Sequence, residues 1–243
     1  MDTNVKGIFF DLGGTLRMCH HVPYHEERAK RRMAALSGLN PEDPEAFYQM
    51  IEQRYKPYRD EIFVTNREAG DFELWHKWLL PEMDEEHLKE VCHEITYQYR
   101  QCAGLRCLTE GGMEVVRELF ERGYKLGIIS NLIGETEIAN WVRDSGLAPF
   151  FDIIVVSAKC GLRKPGHEIY ELACERLGVP PQQCVSVADN LDRDILGAKK
   201  AGIYKNILYI SKEKLAKKTI TEENAPDYIV HTFPDILNLD MFN

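Results

Sequence analysis

The sequence predicts an α/β fold: a doubly wound parallel sheet with an α-helical bundle inserted near its start. Three observations carry the prediction. An apolar run, Ile8-Phe9-Phe10, ends in the carboxylate of Asp11 and a glycine turn, as a buried strand of an open α/β sheet does at its carboxyl end. Helical periodicity then holds from Arg17 to Gly104. From about Leu105 strand-like and helix-like segments alternate, the signature of parallel strands joined by right-handed crossovers.

Each element follows from local pattern. Tyr24 to Leu36 is charged and helical and stops at Ser37-Gly38. A second helix begins near Pro41 to Pro44 and carries Phe47, Met50, Ile51 and Tyr55 on one face. A third holds Phe72, Trp75, Trp78 and Leu79 before Pro81. In the fourth, Asp84 is a candidate N-cap, and Leu88, Val91, Cys92, Ile95, Tyr99 and Cys102 recur at steps of three and four. Such aromatic stripes read as bundle core. Beyond Leu105 come a helix from Thr109 to Arg122, a strand from Lys125 to Ile129, a helix from Glu135 to Asp144 and a strand from Ile153 to Val156. Pro165 to Leu177 reads as helix, Cys184 to Val187 as strand and Asp192 to Ala201 as helix, before the short strands Ile207 to Ile210 and Tyr228 to Val230. The expected domains are a core of residues 1–16 and 105–243 and a helical insertion of residues 17–104.

Composition narrows the classes of function. The 243-residue chain is 44% hydrophobic and 28% charged, values of an ordinary globular protein. Its net charge of −9 argues against nucleic-acid binding, which uses a Lys/Arg excess. The locally basic stretch Lys212 to Lys218 reads as a solvated face. No apolar run is long enough for a membrane span, and the amino terminus leads into a strand with no signal-peptide core, so a cytoplasmic protein is expected. Seven scattered cysteines make no disulfide framework and read as reduced thiols. Cys19-His20-His21 and Cys92-His93 lack partners at zinc-ligand spacing.

Four strand ends finish in the residue types that phosphoryl transfer needs: a nucleophile, hydrogen-bond donors, a cation and usually a metal. Asp11 is a carboxylate able to form an aspartyl-phosphate without an activating base. Ser130-Asn131 puts a hydroxyl and an amide where the second core strand empties into a loop. Lys164, just before Pro165, can offset charge on Asp11, with Pro165 able to open the next helix at its first position. Asp189 ends an apolar strand and Asp194 follows five residues later at a helix start, so both can face a hard cation. Asp192 reads as the N-cap of that helix.

Taken in order, Asp11-Leu12-Gly13-Gly14-Thr15-Leu16, Ser130, Lys164-Pro165 and Ala188-Asp189 through Asp194-Ile195-Leu196-Gly197-Ala198 resemble the four signatures of the haloacid dehalogenase (HAD) superfamily. The resemblance covers residues 5 to 16 and 105 to 243, with the helical segment matching in position a type C1 cap. It implies a Rossmann-like, HAD-like core and Asp11 as nucleophile. It further implies phosphate contacts from Ser130, Asn131 and Lys164, and Mg²⁺ held by Asp11, the Gly13 carbonyl, Asp189 and Asp194. The expected partner is a small phosphorylated substrate, and the expected assembly a monomer or homodimer. Ala188 stands where the family usually has Gly, a small-for-small change.

One departure matters more. The family's second Asp, which protonates the leaving group and later deprotonates water, is Gly13 here. Its carbonyl can still bind metal, but the proton carrier is gone, and positioned acid–base catalysis is worth roughly 10²–10⁴ in rate. Three functions fit this gap. One is a Mg²⁺-dependent phosphatase restricted to good leaving groups, or one that borrows an acid such as His20, His21 or His25. Another is a silent HAD-fold binding or regulatory protein. The last is another reaction of the superfamily, phosphonate or carbon–halogen cleavage, against which the fourth-motif acids weigh by favouring a metal-dependent reaction over dehalogenation.

Overall fold

A computed structural model describes residues 5–39 and 41–242. The core is a six-stranded sheet, all parallel, in the order β5-β4-β1-β6-β7-β8. Its strands are β1 (Gly7–Phe10), β4 (Lys125–Ser130), β5 (Ile153–Val156), β6 (Cys184–Ala188), β7 (Lys205–Tyr209) and β8 (Tyr228–Val230). Alternation along β1 shows why both faces must be covered. Ile8 and Phe10 join one apolar layer with α5 (Gly112–Glu121) and α6 (Glu137–Asp144). Phe9 points the other way, into a layer with α8 (Glu168–Leu177) and α9 (Leu196–Lys200). All three side chains are at most 1% exposed, and burying each contributes roughly 1.5–3 kcal/mol. Two short helices, α7 (Ser157–Cys160) and α10 (Lys212–Leu215), follow β5 and β7. The expected doubly wound sheet is therefore the fold.

Helices α1 (Pro23–Leu36), α2 (Pro44–Thr65), α3 (Asp71–Glu73) and α4 (Glu85–Gln101) form a bundle with its own core of Met33, Ile51, Trp75, Leu88 and Ile95. Asp43 caps α2 by accepting the N–H groups of Glu45 and Ala46, and Asp84 caps α4 at His87, as its sequence position predicts. The third helix differs from expectation. α3 is a single turn that runs into a π-helical segment, Leu74–Leu79. The wider winding aligns Leu74 with Leu79, which α-winding would set about 140° apart, and both are fully buried.

The chain after Leu16 is not helical at once. β2 (Arg17–His20) pairs antiparallel with β3 (Leu105–Leu108), residue for residue, in a two-stranded ribbon that carries the chain into the bundle and back. Among the described residues no helix is long and apolar enough to cross a membrane. All seven cysteines are free thiols.

Candidate active site

Asp11 follows β1 directly, its N–H held by the Val187 carbonyl of β6. The carboxylate is nearly buried, 6% exposed. Its Oδ1 accepts from Lys164 Nζ at 2.6 Å and its Oδ2 from Thr15 Oγ1 at 3.3 Å. Lys164 Nζ also donates to the Ile129 carbonyl at 2.9 Å and lies 2.5 Å from Asp194 Oδ1. Two strand ends and the fourth motif thus converge on one ammonium.

The loop that delivers Lys164 is tied from several sides. Lys164–Pro165 is a cis peptide, and α8 begins only at Glu168, so Pro165 closes a turn and does not open the helix. Asn131, expected at the phosphate, has its side chain committed to this loop. Its amide nitrogen donates to the Lys164 carbonyl at 2.8 Å, and its oxygen accepts the Lys164 N–H at 2.9 Å. Asn131 therefore ties the Lys164 loop through both its nitrogen and its oxygen, with its second amide N–H uncommitted by these two bonds. Buried Glu68, between α2 and α3, adds a link from the bundle: it accepts from Ser157 Oγ at 2.9 Å and pairs with Arg163. Ser130 ends β4 in a buried position one residue past Ile129.

The fourth motif also departs from expectation in detail. The segment after Asp189 is a π-turn, Leu191–Ile195, and its cap is Asn190, which accepts the N–H groups of Asp192 and Arg193. Asp192 instead accepts from Asn224 at 2.8 Å. Arg193, which the sequence reading passed over, reaches Asp194 Oδ2 at 2.9 Å and Asp189 Oδ1 at 3.5 Å. Gly197 lets α9 approach the Lys164 turn, since a Cβ there would lie 3.1 Å from Pro165 Cα.

Asp11, Asp189 and Asp194 each offer an oxygen within 4.8 Å of the others, a set able to hold a divalent cation. Asp189 Oδ1 is buried without a hydrogen-bond partner among the described residues, with Arg193 3.5 Å away, whereas Asp194 Oδ1 faces the Lys164 ammonium. Burial, and then the neighbouring Asp11 and Asp194, push the Asp189 carboxyl up to about 6. Burial raises Asp11 as well, against the pull of Lys164. Carboxylates that crowd one another and leave an oxygen unpartnered are what a hard cation would satisfy.

The two glycines between Asp11 and Thr15 differ. Gly14 has φ +85°, and a Cβ there would fall 2.3 Å from Asp189 Oδ2, so only glycine fits. At Gly13 the backbone is not left-handed and a Cβ would meet nothing within 4 Å. The position therefore has room for a Cβ, and glycine is not forced there by the backbone.

None of the three histidines considered as substitutes pairs with this cluster. His21 pairs with Glu26, His25 meets Gln101, and His20 is exposed at the end of the β2–β3 ribbon. A recess of about 500 Å³ beside Gly14 and Asp189 is lined instead by Lys214, Lys217, Lys218 and His231. The stretch read as a solvated basic face therefore overlooks the acids. His231 Nδ1 donates to the Ile210 carbonyl at 2.7 Å, leaving Nε2 for other partners.

Comparisons with known proteins give the family and the fold. A family model for hydrolases of the haloacid dehalogenase-like type matches residues 5–202. Over 228 residues the chain is 28% identical to glyceraldehyde 3-phosphate phosphatase of Methanothermobacter thermautotrophicus, covering 93% of this chain and 95% of that protein. It is 33% identical over 130 residues to the pyrophosphatase PpaX of Halalkalibacterium halodurans, 54% of this chain and 58% of that one. Among solved structures, a 2-haloacid dehalogenase from Pseudomonas syringae aligns with a TM-score of 0.67 at 22% identity, over 96% of this chain and 98% of that one. A HAD phosphatase from Thermococcus onnurineus aligns at 0.58 and 22%, over 96% and 97%. These two likenesses establish the fold.

Proposed function

The chain belongs to the haloacid dehalogenase-like hydrolases, and from that premise we propose that it is a Mg²⁺-dependent phosphatase acting on a small phosphorylated metabolite. The observation that carries this reading is the trio of Asp11, Asp189 and Asp194, gathered within 4.8 Å with Asp189 Oδ1 buried and without a hydrogen-bond partner among the described residues. Dehalogenation gives such a cation-ready trio no task, whatever the overall likeness to a dehalogenase. Phosphatase names among the relatives support the same choice. In this scheme residues 17–104 act as a cap over a core of residues 1–16 and 105–243.

Asp11 attacks phosphorus, a carboxylate oxygen–phosphorus bond forms as the bond to the leaving oxygen breaks, and that oxygen departs with the electron pair. Lys164 holds Asp11 in place and offsets negative charge on the transferring group. Ser130 donates its hydroxyl to a phosphoryl oxygen, and Asn131 holds the loop that carries Lys164. Mg²⁺ at Asp11, the Gly13 carbonyl and Asp189, with Asp194 behind them, would neutralise further charge on the phosphoryl oxygens. Water then cleaves the aspartyl-phosphate and frees phosphate. Without a carboxylic acid at Gly13 the leaving oxygen departs unprotonated by that position, which favours acyl and aryl phosphates over alkyl esters.

Hydrolysis of acetyl, p-nitrophenyl, glyceraldehyde 3- and glycolate phosphates with Mg²⁺ tests the proposal on wild type, Asp11→Asn and Gly13→Asp together. Acyl and aryl substrates should turn over, Asp11→Asn should abolish turnover, and Gly13→Asp should raise alkyl-ester turnover by about 10–100-fold. Activity persisting in Asp11→Asn sinks the mechanism. A wild type that hydrolyses nothing yet binds BeF₃⁻ with Mg²⁺ would make this a silent binding protein.

A further inference from the structure

A second cluster of metal-capable side chains lies where the bundle meets the core. Asp71 opens α3, His93 lies on α4, and Glu135 lies between β4 and α6. Each offers a ligand atom within 4.8 Å of the other two. Asp71 is 1% exposed, and its Oδ1 has no hydrogen-bond partner among the described residues. Its Oδ2 faces His93 Nδ1 at 2.7 Å and accepts the Glu135 N–H at 3.2 Å. In return Glu135 Oε1 accepts the Asp71 N–H at 3.2 Å, and Oε2 lies 3.7 Å from His93 Nδ1. The two carboxylates thus lock their segments together around one imidazole. A side chain at Gly70 would displace this arrangement, because its Cβ would fall 2.5 Å from Glu135 Oε1.

The charge of the cluster suits an ion. Among the described residues no Lys or Arg nitrogen forms an ion pair with Asp71 or Glu135, so one imidazole faces two carboxylates. Tetrahedral ligands about 2.0–2.2 Å from a metal stand roughly 3.3–3.6 Å apart; His93 Nδ1 is 3.7 Å from Glu135 Oε2 and 2.7 Å from Asp71 Oδ2, so the His93–Asp71 hydrogen bond would open by roughly 0.6–0.9 Å to admit an ion. A nitrogen ligand beside two oxygens favours Zn²⁺ and its neighbours over Mg²⁺. His93 also lines a cleft of about 400 Å³ with residues of α4 and α6, an entry path and a source of water as a fourth ligand.

We propose that Asp71, His93 and Glu135 form a second cation site, for Zn²⁺ or a similar late first-row divalent ion, that clamps the helical bundle to the core. The site is distinct from the acids around Asp11 in both ligand type and place. Its ion joins α3, α4 and the loop after β4 and takes no part in the chemistry at Asp11.

Metal-free protein, held at saturating Mg²⁺ to occupy the Asp11 cluster, is titrated with Co²⁺ and with Zn²⁺. Visible ligand-field absorption, equilibrium dialysis and thermal melts are the readouts. One ion per chain should bind, and Zn²⁺ at about a hundred times its Kd should raise Tm by about 5–10 °C. His93→Gln and Glu135→Gln should each weaken binding at least about tenfold while Mg²⁺-dependent turnover is kept. Wild-type Zn²⁺ affinity in both variants, or a Co²⁺–thiolate charge-transfer band, would place the ion elsewhere and overturn the proposal. So would the absence of any Zn²⁺-dependent rise in Tm up to about 1 mM, which would leave His93 as a hydrogen-bonding neighbour of the two carboxylates.

Discussion

Glu137 and Asp189 are both carboxylates that meet arginine inside the same protein, yet the surroundings move them in opposite directions. Burial pushes Glu137 up, but Arg100, Arg17 and Arg106 together draw it below the usual carboxylate range. Arg17 meets it at 2.9 Å with both side chains 2% exposed, and Arg100 adds a contact at 3.1 Å. Asp189 has one arginine at 3.5 Å and two neighbouring acids, and burial leaves it raised to about 6. The first cluster is complete in the protein alone and joins β2, α4 and α6. The second is short of positive charge, the mark of a site that waits for something to bind.

The sharpest way to break this contrast is to remove each carboxylate in turn. Glu137→Ala strands a buried Arg17 and should destabilise the fold by about 3–5 kcal/mol, a fall in Tm of roughly 10 °C on thermal melting. Asp189→Asn should leave Tm in chelator unchanged or higher, while Mg²⁺-dependent turnover falls by about 10³-fold. Equal stability losses in the two variants would erase the distinction. A smaller effect is expected from Lys164→Met, which removes the ammonium between Asp11 and Asp194 and should lower kcat/KM by roughly 10²–10³-fold in steady-state assays.

The smallest effect is in pH dependence. The Asp189 carboxyl is raised from its unfolded value near 3.9 to about 6, so the folded chain holds the extra proton between about pH 4 and 6. Stability in chelator should therefore fall as pH rises through that window, and Asp189→Asn should flatten the fall. Glu137 has the opposite sign: its depressed carboxyl contributes stability above its unfolded value near 4.3, lost as pH drops through its folded value. Melting curves taken from pH 3 to 7 on Asp189→Asn and Glu137→Gln would separate the two slopes.

Asp11, Ser130, Asp189 and Asp194 were legible because each stands where an apolar run ends or a helix begins, and the sheet brings such ends together; Lys164 was legible only from the order of the motifs, since it lies in a turn ahead of α8. That pattern says which end of the sheet a residue occupies and is silent on where its side chain turns. Asn131 shares the pattern with Ser130, but its amide turns back to the Lys164 main chain. The β2–β3 ribbon escaped notice because Arg17–His20 is too short to show a strand period and its partner lies far along the chain. Lys214, Lys217 and Lys218 read as a solvated face for a related reason. The recess they line is closed by Gly14 and Asp189, remote in sequence. His93 looked isolated beside Cys92, since its neighbours Asp71 and Glu135 come from other segments.

The paired strands Arg17–His20 and Leu105–Leu108 carry a consequence for how such a protein can be remade. Outgoing and returning chains run one strand spacing apart, about 5 Å. Whatever lies between them, whether a tight hairpin or a whole bundle, presents the sheet with the same two ends. Recombination at this ribbon could exchange the helical bundle and leave the strand ends around Asp11 untouched. One sheet core can in this way be inherited under many different insertions.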